Sequence, residues 1–361
     1  MRYALVGAGR IAPNHIKSAL QNHLEIVGIC DKDIGKARRL AASFNLPESI
    51  CYSDYRSMLL KTGNIGFVSV ATDSGSHFPI VMDLFGLGCN VLCEKPIALS
   101  LSDADKMIAT ANKKRLVFGV CQQNRLNDAS RMVKKAMDAG AFGKLSHGAV
   151  CVRWSRDEAY YAHDSWRGKW ESDGGTLMNQ CIHGLDLLRY LMGGDVEEAY
   201  GMIDNRLHPY MEVEDIGLAL IRFRSGALAT VEGTSNVFED DLEETITLIG
   251  ETGTIKLGGK AAEHILFWHF ADKDVDGWCE KKCPQCFSSV YGNGHVRVFA
   301  DFIRAVKEHG IPLVDGKAGR DALELVLAVY ESAKQGKSVH IPFSVASTED
   351  MKGFLLERKG M

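Results

Sequence analysis

A chain of 361 residues is long enough for two ordinary domains, each able to bury its own core without disulfides or metals. Its net charge of −4 offers no basic field to attract nucleic acid or an anionic membrane surface. No apolar run is long enough to span a bilayer, the first residues lack the pattern of a signal peptide, and the ten cysteines are mostly single and scattered, so a soluble cytoplasmic protein with reduced thiols is expected.

Along the first 120 residues, short apolar runs alternate with amphipathic stretches. The pattern predicts strands at Tyr3–Val6, Ile26–Cys30, Phe67–Ala71, Asn90–Leu92 and Val117–Val120, with helices between them such as 34–44 and 102–112. Strands apolar throughout and separated by helices belong to a parallel sheet covered on both faces. Ser102 and Asp105 carry a capping signal for the helix that starts there. From residue 123 the texture changes. A helix over 128–139 is followed by alternating segments at 146–154, 213–223, 228–237 and 244–249, with hairpin signals at Arg224-Ser225-Gly226 and across Gly250 to Gly253. Further helices are predicted at 179–191, 295–307 and 320–334. The chain therefore divides into an α/β Rossmann domain over 1–122 and an α+β domain over 123–361 built on a large, mostly antiparallel sheet. The cleft between two such halves is the natural place for chemistry.

Within the first domain, Gly7-Ala8-Gly9-Arg10-Ile11-Ala12 fits the dinucleotide pattern G-x-G-x-x-A between a strand and a helix. Gly7 permits the tight turn, Gly9 lets a pyrophosphate approach the backbone, and Ala12 keeps helix and strand close. Asp31 ends the second strand, where a carboxylate can bond the adenosine ribose and repel the extra phosphate of NADP, so NAD is the expected cofactor. Lys32 and Arg10 lie nearby and weaken that preference.

Lys95 follows the Cys93-Glu94 end of a later strand, on the side of an open parallel sheet where ligands bind. Far downstream, Asn179, His183 and Asp186 are spaced to share one stripe of the helix predicted at 179–191. A lysine and a histidine acting on one hydroxyl form a serviceable general-base pair.

With these motifs in place, the chain resembles the Gfo/Idh/MocA family of oxidoreductases over nearly its whole length. The resemblance rests on the glycine loop, Ala71-Thr72-Asp73-Ser74-Gly75-Ser76-His77, Glu94-Lys95-Pro96, His183-Gly184-Leu185-Asp186, and the run from Pro312 through Asp315-Gly316 to Tyr330-Glu331-Ser332. It implies substrate binding and proton transfer by Lys95 and His183. It also implies dinucleotide contacts from Arg10, Ile11, Thr72, Ser76, His77, Glu94 and Gln123, an open C-terminal sheet, and assembly as a homodimer or homotetramer.

Many polyol-oxidising members carry Asp four residues before the histidine. Asn179 stands there in this chain, and an amide can orient or bind but cannot take the proton. Asn179–His183, Gln122–Arg125 and Trp166-Arg167-Gly168-Lys169-Trp170 resemble the branch that oxidises C3 of UDP-N-acetylglucosamine or its uronic acid. Arg125, Arg167 and Lys169 then become partners for a pyrophosphate or carboxylate. The alternatives are a free polyol or monosaccharide dehydrogenase such as an inositol dehydrogenase, a glycosidase that oxidises C3 transiently, and a non-catalytic dinucleotide-binding regulator. Retention of both Lys95 and His183 argues against the regulator. Cys279, Cys283 and Cys286 form the densest thiol group and could hold a zinc with a histidine, but they lie in an apparent insertion, and no metal is expected.

Overall fold

The computed structural model describes residues 1–279, 294–343 and 346–359. The chain forms two compact units, each described here by itself.

The first unit comprises residues 1–98, 102–122 and 295–320. Its strands are β1 (Arg2–Val6), β2 (Glu25–Cys30), β3 (Cys51–Tyr52), β4 (Phe67–Val70), β5 (Val91–Cys93) and β6 (Phe118–Val120). They form one sheet in the order β3-β2-β1-β4-β5-β6, every pairing parallel. Helices α1 (Ala12–Gln21), α2 (Ile34–Ser43), α3 (Tyr55–Thr62), α4 (His77–Gly86) and α5 (Leu101–Lys114) alternate with the strands. Strand order reverses between β1 and β4, the switch point at which open α/β sheets bind ligands. The core of β1, β4 and β5 is apolar apart from buried Ser69 on β4, and β3, only two residues long, escapes sequence reading.

Two expectations for α5 need correction. The helix begins at Leu101, so Ser102 lies inside it. Asp105, expected to help cap the first turn, instead receives a 2.6 Å hydrogen bond from Arg320; a cation 215 residues away offers a charged partner that local capping cannot match. The later helix α11 (Gly294–Glu308), numbered after α6–α10 of the second unit, closes the core by placing Phe299 and Phe302 edge-on against Tyr3 and Phe67.

The second unit draws its described residues from 99–101, 123–294 and 321–361. Strands β7 (Leu145–Arg153), β8 (Val196–Asp204), β9 (Ile216–Phe223), β10 (Leu228–Thr234), β11 (Glu243–Gly250), β12 (Gly253–Gly258), β13 (His264–Phe270) and β14 (Val339–His340) form a sheet in the order β13-β12-β11-β7-β10-β9-β8-β14. Only β7 and β10 pair in parallel. The two expected hairpins join β9 to β10 and β11 to β12; in the first, Gly226 takes φ +86°, which the turn requires. β8 and β9 alternate strictly, burying Ala199, Ile203, Ala219 and Ile221 while leaving Met202, Leu218 and Leu220 exposed on the other face. The helices are α6 (Asp128–Asp138), α7 (Glu158–Ala162), α8 (Thr176–Asn179), α9 (Ile182–Leu191) and α10 (Lys273–Asp276), then α12 (Gly316–Gln335), which begins in the first unit, and α13 (Phe354–Lys359). Among the described residues no helix is long and apolar enough to cross a membrane.

Candidate active site

The β1–α1 turn is shaped for an anion. Gly7 has φ +100°, and a Cβ there would stand 2.4 Å from the Ala71 carbonyl oxygen, so no other residue fits. At exposed Gly9 a Cβ would meet nothing within 4 Å, which leaves the backbone open to an approaching ligand. Helix α1 begins without a side-chain cap and without an acidic residue in its first turn. The positive end of a helix dipole is what a pyrophosphate binds. Arg10 is exposed beside this turn, Ile11 is its N-cap residue and Ala12 is fully buried beneath it. Asp31 lies across the turn, its carboxylate accepting from the Ala8 amide at 2.8 Å and the Asp33 amide at 2.9 Å. These residues fit NAD. NADH is expected to bind more tightly than NADPH, and Asp31→Ala to narrow the gap, through loss of ribose bonds and of phosphate repulsion. Paired titrations of both nucleotides would check this, and tighter binding of NADPH by the parent would overturn it.

The loop after β4 is held from within. Asp73 caps a short 3-10 turn by accepting from the Ser76 amide, and the Ser76 and Thr72 hydroxyls lie 2.9 Å apart. His77 is buried and its Nδ1 donates to the Pro96 carbonyl at 2.7 Å, tying this loop to the segment that carries Lys95. Burial pushes the His77 pKa down, which keeps the ring neutral in that role. Sequence reading had assigned Thr72, Ser76 and His77 to the dinucleotide; His77 serves as the brace beneath the loop.

Glu94 sits in the interior, 5% exposed. One carboxylate oxygen bonds His15 Nε2 at 2.9 Å and lies 3.7 Å from His295 Nε2, while the other accepts from the Lys95 backbone amide at 3.2 Å. Burial alone would raise this carboxyl; the two imidazoles outweigh it and hold Glu94 well below the usual range. Glu94 therefore fixes the backbone at Lys95. His15, Glu94 and His295 form the one group of potential metal ligands found among the described residues, with ligand atoms within 4.8 Å of one another. Within the trio one hydrogen bond, from His15, and the 3.7 Å approach of His295 fall on the same carboxylate oxygen. Sequence reading did not single out His15, since 79 residues separate it from Glu94 and no local spacing links them, and it placed His295 only within reach of the cysteine group.

In the second unit the helix expected over 179–191 is broken. Helix α8 ends at Asn179 and α9 starts at Ile182, because the Cys181 amide reaches back five residues to the Thr176 carbonyl at 3.0 Å. Cys181 packs at the break against Gly233, where a Cβ would come within 2.8 Å of its sulfur. Asn179 therefore does not share a continuous helical stripe with His183 and Asp186; only the latter two lie on α9.

Asn179 donates its amide to Asp173, a carboxylate 1% exposed that also accepts from the Gly168 amide at 2.7 Å. A buried carboxylate thus stands behind the Asn179 amide, outside α8. Sequence reading missed Asp173 because its partner is fixed by the double-glycine turn, not by helical spacing. His183 is 7% exposed, with Gln123 Nε2 at 3.2 Å from its Nε2. Gln123, expected at the cofactor, is thus placed against the histidine within this unit.

Arg125 was expected to pair with a substrate anion. Instead its Nε and Nη2 donate to Asp186 at 2.7 and 2.6 Å, both side chains buried, and its plane stacks 4.5 Å from the Tyr190 ring. Drawing that edge toward a ligand would strand a buried carboxylate, so Arg125 braces α9. Arg167 is 6% exposed at its side chain, donates to Tyr160 at 2.5 Å and Asp164 at 3.2 Å, and stacks on Tyr160 and Trp166. Tyr160 also accepts from Gln180 at 3.2 Å, which joins this cation to the α8–α9 break. The half-buried Lys169 ammonium has no ion-pair partner among the described residues. Of the thiol group, Cys279 is partly buried, while Cys283 and Cys286 lie outside the described residues.

Glycines that open an uncapped helix to an anion, with an acid at the end of the neighbouring strand, define an NAD-dependent oxidoreductase of the Rossmann type. The chain belongs to the Gfo/Idh/MocA family: residues 1–122 match the oxidoreductase family's NAD-binding Rossmann fold, and residues 130–256 match the GFO/IDH/MocA C-terminal domain. It is 32% identical to the WlbA dehydrogenase from Bordetella pertussis, crystallised with NADH and UDP-GlcNAcA, over 95% of this chain and 99% of that one, with a TM-score of 0.83. The WlbA dehydrogenase from Chromobacterium violaceum, crystallised with the same two ligands, is also 32% identical over 95% and 96% of the two chains, with a TM-score of 0.85. Among sequence relatives, the myo-inositol 2-dehydrogenase of Thermotoga maritima is 26% identical over 94% of this chain and 98% of that protein.

Proposed function

We propose that the protein oxidises or reduces C3 of a nucleotide-linked amino sugar, UDP-N-acetylglucosamine or its uronic acid, with NAD as the hydride carrier. The observation that carries this reading is the similarity, over nearly the full length of both chains, to two dehydrogenases crystallised with NADH and UDP-GlcNAcA. The cations of the Trp166–Trp170 approach support it. Lys169 lacks an ion-pair partner among the described residues, whereas Arg167, stacked on aromatic faces, already pairs with Asp164. A pyrophosphate or uronate would neutralise such a lysine, whereas a free sugar offers only hydroxyls.

In this reading NAD, held at the β1–α1 turn and by Asp31, would supply the hydride acceptor for the sugar carbon. The Lys95–His183 pair takes up the one proton that leaves the hydroxyl, so the carbon gains a carbonyl as the O–H and C–H bonds break. Glu94 holds the Lys95 backbone from below. Asn179, its NH2 directed to Asp173, presents its carbonyl oxygen as an acceptor for a substrate hydroxyl.

A second reading, a free polyol dehydrogenase, is favoured by the myo-inositol 2-dehydrogenase similarity. The two separate in one assay: protein and NAD with UDP-N-acetylglucosamine, its uronic acid, myo-inositol and glucose, following NADH. A 2-oxo acid in parallel wells would reoxidise NADH that stays bound. Turnover is expected with a UDP-sugar. Turnover with inositol or glucose alone would remove the nucleotide-sugar reading.

A further inference from the structure

Beneath the double-glycine turn lies a glutamate that the proposed chemistry does not use. Glu214 is fully buried. Its Oε1 accepts from the Leu177 amide at 2.8 Å, in the first turn of α8, and stands 2.7 Å from the Tyr330 hydroxyl. Its Oε2 has no hydrogen-bond partner among the described residues and fills the place of a Gly175 side chain, where a Cβ would come within 1.9 Å. Gly175, with φ +101°, is therefore required twice, by its conformation and by the carboxyl beside it.

The Tyr330 hydroxyl has two close oxygen neighbours and one proton. It lies 2.8 Å from the Gly174 carbonyl, which can only accept, so its proton goes there. The 2.7 Å contact to Glu214 then needs a proton from the other side, and only the glutamate can supply it. An ionised Glu214 would set two bare lone pairs against each other.

We propose that Glu214 is held as a neutral carboxylic acid and serves, through Tyr330 and the Leu177 amide, as the positioning residue for the segment that carries Asn179 and His183. The proton relay runs from Glu214 to Tyr330 to the Gly174 carbonyl, and it locks the turn from which α8 starts. Burial favours the neutral form of Glu214, and Asp173 in the turn reinforces it because its negative charge opposes a second one; the contacts with Tyr330 from α12 and with the Leu177 amide pull the other way without outweighing burial. Adjacent Asp215 is directed elsewhere, to His208 and Asn236. Burial raises the Glu214 pKa to about 8, so the lock opens in mildly alkaline solution. That the segment serves substrate rests on the function proposed above; the protonation state and the lock do not.

Two measurements on the NAD-loaded full chain test this without any sugar substrate. Infrared titration of the parent should show carboxylic-acid absorption at pH 7 that fades around pH 8, and Glu214→Gln should remove part of it. Amide hydrogen exchange over residues 174–181, corrected for intrinsic rate, should accelerate roughly tenfold above that pH in the parent, the scale of one buried hydrogen bond. Glu214→Gln, which has no proton to lose, should show a rate independent of pH over this range, and Tyr330→Phe should show the fast rate already at pH 7. Unchanged infrared absorption in Glu214→Gln, or a parent exchange rate independent of pH, would overturn the proposal. Failure of UDP-sugar turnover would leave both readouts standing and strike only the function.

Discussion

Replacing Lys95 by Met, or His183 by Ala, is expected to lower turnover by roughly a hundred- to ten-thousand-fold, the range of general-base loss, with NADH affinity nearly unchanged. The expectation rests on different observations in the two units. The backbone of Lys95 is anchored to Glu94, a buried carboxylate itself held by His15 with His295 close by. His183 sits almost wholly buried on α9, oriented by Gln123 and one turn from the Arg125–Asp186 pair that braces the helix. If both groups act on one hydroxyl proton, the double mutant should cost little more than the worse single one, because residues acting as a unit are not additive. Pre-steady-state transfer to NAD, with separate titration of NADH binding, makes the comparison. Near-normal turnover in Lys95→Met would remove Lys95 from the chemistry, and fully additive losses would assign the two residues to different steps.

The second large effect is on stability. Glu214 and Glu244 are both fully buried, and burial raises each from the usual 4.5 to about 8; for Glu244 the neighbouring carboxylate Glu263 adds to the rise. An acid whose folded pKa lies above its unfolded value destabilises the fold as pH rises. The penalty is absent below about pH 4.5, grows while the unfolded chain alone loses the proton, and is complete near pH 8. At about 1.4 kcal/mol per pH unit, each group costs on the order of 5 kcal/mol at pH 8 relative to pH 4.5.

Glu244→Gln keeps an acceptor for Asn124, whose amide lies 3.2 Å from Glu244 Oε1, and carries no proton to lose. It should match the parent at pH 5 and exceed it increasingly towards pH 8. His208 is raised by its bond to Asp215, against the opposing pull of burial, so its contribution also declines with rising pH in this window. The informative quantity is therefore the variant minus the parent, measured by denaturant unfolding across the range. A constant difference from pH 5 to 8 would show that Glu244 is ionised throughout.

Features that depend on neighbours in the chain were legible from sequence. The glycine turn, Asp31 at the end of β2 and the apolar strands of the parallel sheet all follow from backbone geometry within a few residues, and the order of β and α elements implies the fold. The hairpins at Gly226 and between Gly250 and Gly253 are equally local. What sequence alone could not decide depends on partners far apart along the chain. Arg125 looks the same in sequence whether it meets a pyrophosphate or Asp186, and only the packing of α9 reveals which. The break at Gln180–Cys181 runs against a helical pattern because Gly233, more than fifty residues later, leaves room for the Cys181 side chain. Asp173 and Glu214 carry no motif, and the run that contains Tyr330 says nothing of its partners. They become one network only when the turn at Gly174 and Gly175 brings a loop, a strand end and a C-terminal helix to the same buried point, where low dielectric makes each proton's position matter.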